Sequence, residues 1–193
     1  GQQRRPCPPA RGGRAASAEP GGREKGVRHP ADEALGRSRG GFTTKVHLSC
    51  DGKGRPLSVV LTAGQRHDST QLEPVLDAIR VPRAGRGRPR KRPDVVLADK
   101  GYTYPRCRRA LRRRKLRHVI PQRRDQRRQR RARGRKGGRP PGFDRAAYRR
   151  RSVVERCINR LKQWRGLATR YEKRALNYRA MVAIGALMLW LAP

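Results

Sequence analysis

Apolar residues in this chain gather into five stretches, 44–61, 72–79, 94–98, 116–121 and 153–191, separated by basic, glycine- and proline-rich sequence. In Thr44-Lys45-Val46-His47-Leu48-Ser49-Cys50, apolar Val46, Leu48 and Cys50 alternate with polar neighbours, the period of a half-buried strand. Asp51-Gly52-Lys53-Gly54 is turn chemistry and Pro56–Leu61 reads as a second strand, so the pair predicts a hairpin. His67-Asp68-Ser69 opens a helix through about Ile79, capped by Asp68 or Ser69, with Leu72, Val75, Leu76 and Ile79 at helical spacing. Residues 80–93 form a Gly/Pro/Arg loop. The run Asp94-Val95-Val96-Leu97-Ala98 predicts a strand buried on both faces, ending in Asp99-Lys100-Gly101-Tyr102.

A basic helix from about Pro105 to Lys115 and a strand over Leu116–Pro121 follow, which together predict a parallel βαβ unit. Residues 122–142 read as a basic low-complexity loop. A long helix is expected from Asp144 to about Thr169, with Phe143 stapled onto Tyr148, and a last helix from about Ala175 to Leu191. Residues 1–40 are Gly, Pro, Arg and Ala with almost no periodicity and read as a disordered segment resembling sequence translated out of frame. The expected domain is therefore 41–193, carrying 122–142 as a basic insertion.

Charge changes this picture most. Lys plus Arg number 51 against 14 Asp plus Glu, a formal charge of 51 − 14 = +37 over 193 residues. Such an excess calls for a polyanionic partner, and DNA or RNA is the first choice. A high-GC codon bias would enrich arginine but rarely makes so large an imbalance alone. The tracts 106–117 and 123–139 are suited to phosphates without reading sequence, although a solvated loop accounts for the second equally well.

Cys7, Cys50, Cys107 and Cys157 have no metal-ligand spacing, and Cys50 and Cys157 fall in apolar patterns as core thiols. No signal peptide is read at the start, and Ala180–Ala192 is too short an apolar run to cross a bilayer. The expectation is no membrane partner and a cytoplasmic, nucleoid-associated bacterial protein. His47, His67 and His118 read as packing or capping residues.

The candidate chemistry lies on the long helix. At roughly 100° per residue, Tyr148, Arg151, Glu155 and Lys162 fall within roughly 60° of one another as a polar stripe. Val154, Cys157, Ile158, Leu161 and Ala168 form the adjoining apolar stripe. Glu155 is thereby expected at the edge of the core-facing side, aimed at the end of a neighbouring strand. A surface helix with an Arg–Glu pair explains any one of these residues, but not all four beside a strand ending in Asp99.

Tyr148-x2-Arg151-x3-Glu155-x6-Lys162 resembles the signature of DDE transposases of bacterial insertion sequences. Ala98-Asp99-Lys100-Gly101-Tyr102 is similar to the segment around their second catalytic Asp. Gly64-Gln65-Arg66-His67-Asp68-Ser69 and Gly36-Arg37-Ser38-Arg39-Gly40-Gly41 also resemble family segments, and the likeness spans roughly 34–191. It implies an α/β fold, an RNase H-like mixed sheet flanked by helices, with Asp99 at the carboxyl end of a central strand. It further implies Asp99 and Glu155 as catalytic, metal-ligating carboxylates for Mg²⁺ or Mn²⁺. Arg151 and Lys162 would hold DNA-end phosphates, and Tyr148 would position the helix or DNA. The implied partners are double-stranded DNA, as element ends and target, and a second copy of the chain in a homodimer.

The family also uses an earlier Asp on a first strand ahead of the hairpin. Asp32 follows no strand pattern and Asp51 reads as a turn residue, so the fold is expected to lack that strand. On this reading the chain is the downstream part of a transposase, completed by frameshifting from an upstream frame or left from a broken element. The alternatives are a catalytically inactive basic DNA-binding remnant and a generic basic ribosome- or nucleoid-associated protein. The last leaves the Tyr–Arg–Glu–Lys spacing and Asp99 unexplained.

Overall fold

A computed structural model describes residues 33–38 and 41–192. In chain order the strands are β1 (Gly36–Ser38), β2 (Gly41–Cys50), β3 (Pro56–Ala63), β4 (Val95–Leu97) and β5 (Arg117–Val119). The helices are α1 (Leu72–Asp77), α2 (Pro105–Arg113), α3 (Arg124–Ala132), α4 (Arg145–Arg149), α5 (Ser152–Lys162), α6 (Arg165–Ala168) and α7 (Ala175–Leu191). The class is α/β. The single mixed sheet expected from the sequence is not formed among the described residues. β1, β2 and β3 make one antiparallel sheet, while β4 and β5 make a separate parallel pair.

The hairpin forms as its pattern requires, with Thr44 opposite Ala63 and Leu48 opposite Val59. Asp51 organises its turn, since Oδ1 accepts from the backbone N–H of Lys53 and of Arg55, each at 2.9 Å. This is the turn role expected of Asp51. The polar face of β2 is not solvated, however. His47 is the most buried residue of the strand at 5% exposure, and it hydrogen-bonds Thr62 Oγ1 at 2.8 Å. The reason is packing: α1 and α5 lie against β2, and α1 and α7 against β3, so side chains of both alternate sets are partly covered.

The βαβ unit is also present. Val95, Val96 and Leu97 pair in parallel with Arg117, His118 and Val119, with α2 as the crossover. α2 buries Cys107, Ala110 and Leu111 against Leu72, Leu76, Ile79, Leu116 and Ile120, forming the main core. Arg108 is buried beside them, and its Nη2 donates to Ile120 O at 2.7 Å, which satisfies the guanidinium there. A second, smaller core joins Cys157, Leu161 and Leu189 to Leu48, Cys50 and Leu167.

Four local expectations are corrected. Structure begins before Phe42, because Gly36–Ser38 pairs with Gly41–Thr43 as a hairpin; residues 1–32 and 39–40 of the expected disordered segment lie outside the described residues. The helix after Arg66 is capped by His67, whose Nδ1 accepts from Ser69 N at 3.2 Å, and it starts as a 3₁₀ turn before α1. Residues 124–132 are a helix rather than a loop. Arg and Gln are good helix formers with no Gly or Pro until Gly134, and a helix without an apolar stripe has no periodic signal. The long helix from Asp144 is broken into α4, α5 and α6. Across the first break Arg151 N bonds Tyr148 O, and Val154 N bonds Arg151 O, both three residues back. At the second, Trp164 is extended. The cap and staple at its start do form: Asp144 accepts from Ala147 N at 2.9 Å, and the Phe143 and Tyr148 rings lie 5.1 Å apart.

Leu111 has 0% exposure in the main core, whereas Leu187 on α7 is 56% exposed. Leu111→Ala is expected to lower unfolding free energy by about 2–5 kcal/mol in urea titrations. Leu187→Ala is expected to stay within about 0.5 kcal/mol of the parent.

Candidate active-site cleft

The two sheets are separated by a cleft of about 570 Å³, bounded by β2, β4, α1 and the α4–α5 junction. Its interior is apolar and its rim is charged. The rim carries Lys45, Asp68, Asp99, Tyr102, Arg150, Arg151 and Glu155, which come from four separate parts of the chain.

Asp99 reaches this rim because β4 ends there. It stands in extended conformation as the cap of the 3₁₀ turn Lys100–Tyr102, and its Oδ1 accepts from Gly101 N at 2.8 Å. The glycine matters at that point, since an added Cβ at Gly101 would lie 2.9 Å from Asp99 Oδ1. Glu155 lies in the first turn of α5, where a carboxylate is favoured by the helix dipole. Arg151, just before that helix, donates from Nη2 to Glu155 Oε1 at 2.6 Å. Its guanidinium also sits over the Tyr148 ring, 5.6 Å from the centroid.

Electrostatics ties these groups together. Burial works against the charge on Arg151, but the Glu155 hydrogen bond, Tyr148 and the charges of Glu155 and Asp99 raise its pKa above the ordinary value. On the facing side Lys45 Nζ is ion-paired with Asp68 Oδ1 at 3.0 Å. The Tyr102 hydroxyl is pushed up to about 12, first by burial and then by the negative charges of Asp68 and Asp99.

The structure therefore brings Asp99, Arg151 and Glu155 to one rim. Tyr148 does not line the cleft and reaches it through Arg151. Lys162 is exposed at the end of α5 and also lies outside the lining, although seven residues from Glu155 keeps both on a similar helix face. Lys45, Asp68, Tyr102 and Arg150 were missed as rim residues. Asp68 and Tyr102 stand in segments singled out for other reasons. The Lys45–Asp68 contact joins residues 23 apart, which no local pattern reports.

Asp99 and Glu155 offer hard oxygen donors of the kind a divalent cation takes. They fit in kind but not in number, because the described residues contain no group of three or more His, Cys, Asp or Glu placed to hold a metal ion. No helix among the described residues is long and apolar enough to cross a membrane.

An α/β chain with carboxylates and guanidinium groups together on one cleft rim, in a setting of net charge +37, has the features of a DNA-processing protein. Residues 20–191 match the model of the Transposase DDE domain family, and the chain belongs to that family. It is similar to a Burkholderia cepacia protein named as a transposase for insertion sequence element IS402. The two are 38% identical over 168 residues, which is 87% of this chain and 69% of that protein. No solved structure matches the chain. The function is that of a transposase, a family that works on DNA and generally uses divalent metal ions.

The raised Tyr102 pKa has a sign that can be read. A phenol held neutral in the folded state contributes stability fully below its unfolded pKa near 10, and this is lost as pH rises towards about 12. Tyr102→Phe is expected to flatten the loss of stability between those values, measured by urea unfolding at successive pH.

Proposed function

We propose that this chain is the catalytic part of an RNase H-like DDE transposase that cleaves and joins DNA strands, with Asp99 and Glu155 as its reaction-centre carboxylates. The observation that carries this reading is their arrival on one rim from a strand end and a distant helix, with Arg151 bonded to Glu155 and within electrostatic reach of Asp99. Strand transfer is an in-line displacement at phosphorus, which needs charge stabilisation on entering and leaving oxygens. A divalent ion, Mg²⁺ or Mn²⁺, would supply that stabilisation when held by Asp99 and Glu155. Arg151 holds Glu155 in place and offers its remaining N–H groups to a phosphate. Tyr148 supports Arg151 from beneath, and Lys162 extends the cationic track along α5. The substrates on this reading are the element's own ends and a target duplex, with two copies of the chain acting together.

Mn²⁺- or Mg²⁺-dependent cleavage of a terminal-repeat duplex is the expected activity, falling at least about a hundredfold in Asp99→Ala and in Glu155→Ala. Cleavage surviving both substitutions would remove the assigned site. A second reading, a catalytically inactive DNA-binding remnant, is favoured by the two-carboxylate ligand set, and cleavage in no version at all would support it.

Binding itself has a separate signature. Arg124, Arg127, Arg128 and Arg131 of α3 form an exposed basic surface with a shallow groove. Replacing these four with Ala is expected to reduce the slope of log K against log salt for duplex DNA by up to about 3–4. An unchanged slope would mean that α3 does not meet phosphates.

A further inference from the structure

We propose that the Tyr104 hydroxyl is a phosphate ligand: oriented by His67 and Arg123, it donates its hydrogen to a backbone phosphate of a DNA strand beside the Asp99 turn. The inference concerns binding outside the cleft, and it stands whether or not Asp99 and Glu155 cleave DNA.

Three segments meet at this point. His67 caps the 3₁₀ turn Asp68–Gln71, Tyr104 stands just before α2, and Arg123 just before α3. The His67 and Tyr104 rings meet edge to face, with centroids 5.1 Å apart. The Arg123 guanidinium lies over the Tyr104 ring, 4.7 Å from its centroid. Arg123 Nε donates to Lys100 O at 3.4 Å, which fastens the cluster to the turn that Asp99 caps. His67, Tyr104 and Arg123 all lie outside the lining of the cleft.

The partners fix where the hydrogens are. The Ser69 backbone N–H donates to His67 Nδ1 at 3.2 Å, so Nδ1 is an acceptor and the ring hydrogen is on Nε2. Nε2 then donates to the Tyr104 hydroxyl oxygen at 3.3 Å, and Arg123 Nη2 donates to the same oxygen at 3.0 Å. A hydroxyl has two acceptor lone pairs and one hydrogen. Both lone pairs are engaged, so towards any third group this phenol is a donor. Among the described residues no acceptor meets that hydrogen, which is left for a group outside the chain. Packing against the main core and under Arg123 explains the ring, but not two donors converging on its oxygen.

The surroundings select an anion as the acceptor. Arg123 keeps N–H groups beyond those given to Tyr104 and Lys100. Arg106, exposed on the first turn of α2, spends Nη2 on Ser69 O at 3.2 Å and has others to offer. The carboxylates close by are engaged elsewhere. Asp68 is paired with Lys45, Asp99 accepts from Gly101 N, and Asp125 lies among the arginines of the α3 groove. A hydroxyl donor flanked by guanidinium groups fits the two charged oxygens of a phosphodiester. In a transposase-family chain of net charge +37, the DNA backbone is the source of that phosphate.

The test follows anisotropy of a fluorescein-labelled DNA duplex with the full chain, over a range of salt and without divalent metal. Tyr104→Phe keeps the ring and removes only the hydroxyl. It should weaken binding about three- to tenfold and leave the slope of log K against log salt unchanged. Arg123→Gln should weaken binding and lower that slope by about 0.9, since it also removes a charge. The double variant should lose less than the product of the two single losses, because both groups serve one phosphate. Tyr171→Phe, an exposed tyrosine between α6 and α7, should bind like the parent. Should Tyr104→Phe fail to fold, the wild type still decides. Its His67 Nε2 resonance, one of four histidines, should shift as duplex is added and saturate with the anisotropy. Parent-like affinity of a folded Tyr104→Phe, a changed salt slope in it, single losses that multiply, or an unmoved His67 resonance would each overturn the proposal. With metal absent, none of these outcomes depends on whether the chain cleaves DNA.

Discussion

A strand edge presents a row of backbone donors and acceptors that must be paired, wetted or covered, and two such edges, on β2 and β4, face one cleft here. Much else in the molecule follows from that. The carboxyl end of β4 and the 3₁₀ turn beyond it reach the rim, with Tyr102 packed on the main core, and Asp99 stands there. Because α5 packs against β2 next to the same opening, Glu155 meets the rim from the other side. The apolar walls and the charged rim are therefore parts of one construction. The walls are set by core packing of α1 and α5, and the rim by where the strands and helices end.

The charge distribution works with this arrangement. Arg151 touches Glu155 directly and feels Asp99 at longer range, so the rim is not a bare acidic patch that would repel DNA. As an i,i+4 pair open to solvent, the Arg151–Glu155 contact adds only about 0.3–0.5 kcal/mol to stability. Its importance lies in orientation. The arginine fork engages the carboxylate with one nitrogen and leaves the others available. Outside the cleft the basic helices α2 and α3 carry the kind of charge that attracts a polyanion.

The hairpin, the βαβ unit and the last helix were legible in the sequence, because each carries its own period or turn chemistry. Asp99 and Glu155 were legible through their positions at a strand end and on a helix, sharpened by resemblance to a family. Three things were not. α3 has no apolar stripe, so periodicity passed over it. The break near Arg151 involves no Gly or Pro, so tertiary packing overrode good local helix formers there, whereas the one at Trp164 has Gly166 two residues on. The separation of the sheets was invisible in a different way: Val95–Ala98 has the composition of a doubly covered strand, and only the fold reveals that one of its sides faces a cleft. Lys45 and Asp68 illustrate the same limit, since their pairing depends on how the hairpin sits over α1.

The central claim is that Asp99 and Glu155 serve one site. Paramagnetic broadening by Mn²⁺ tests it most directly, using backbone amide resonances of the chain bound to duplex DNA. The account predicts that signals from Asp99–Tyr102 and from Val154–Arg156 broaden together, at the same Mn²⁺ concentration, and that Asp99→Asn removes the effect from both segments. Broadening of one segment without the other, or broadening unaffected by that substitution, would contradict it.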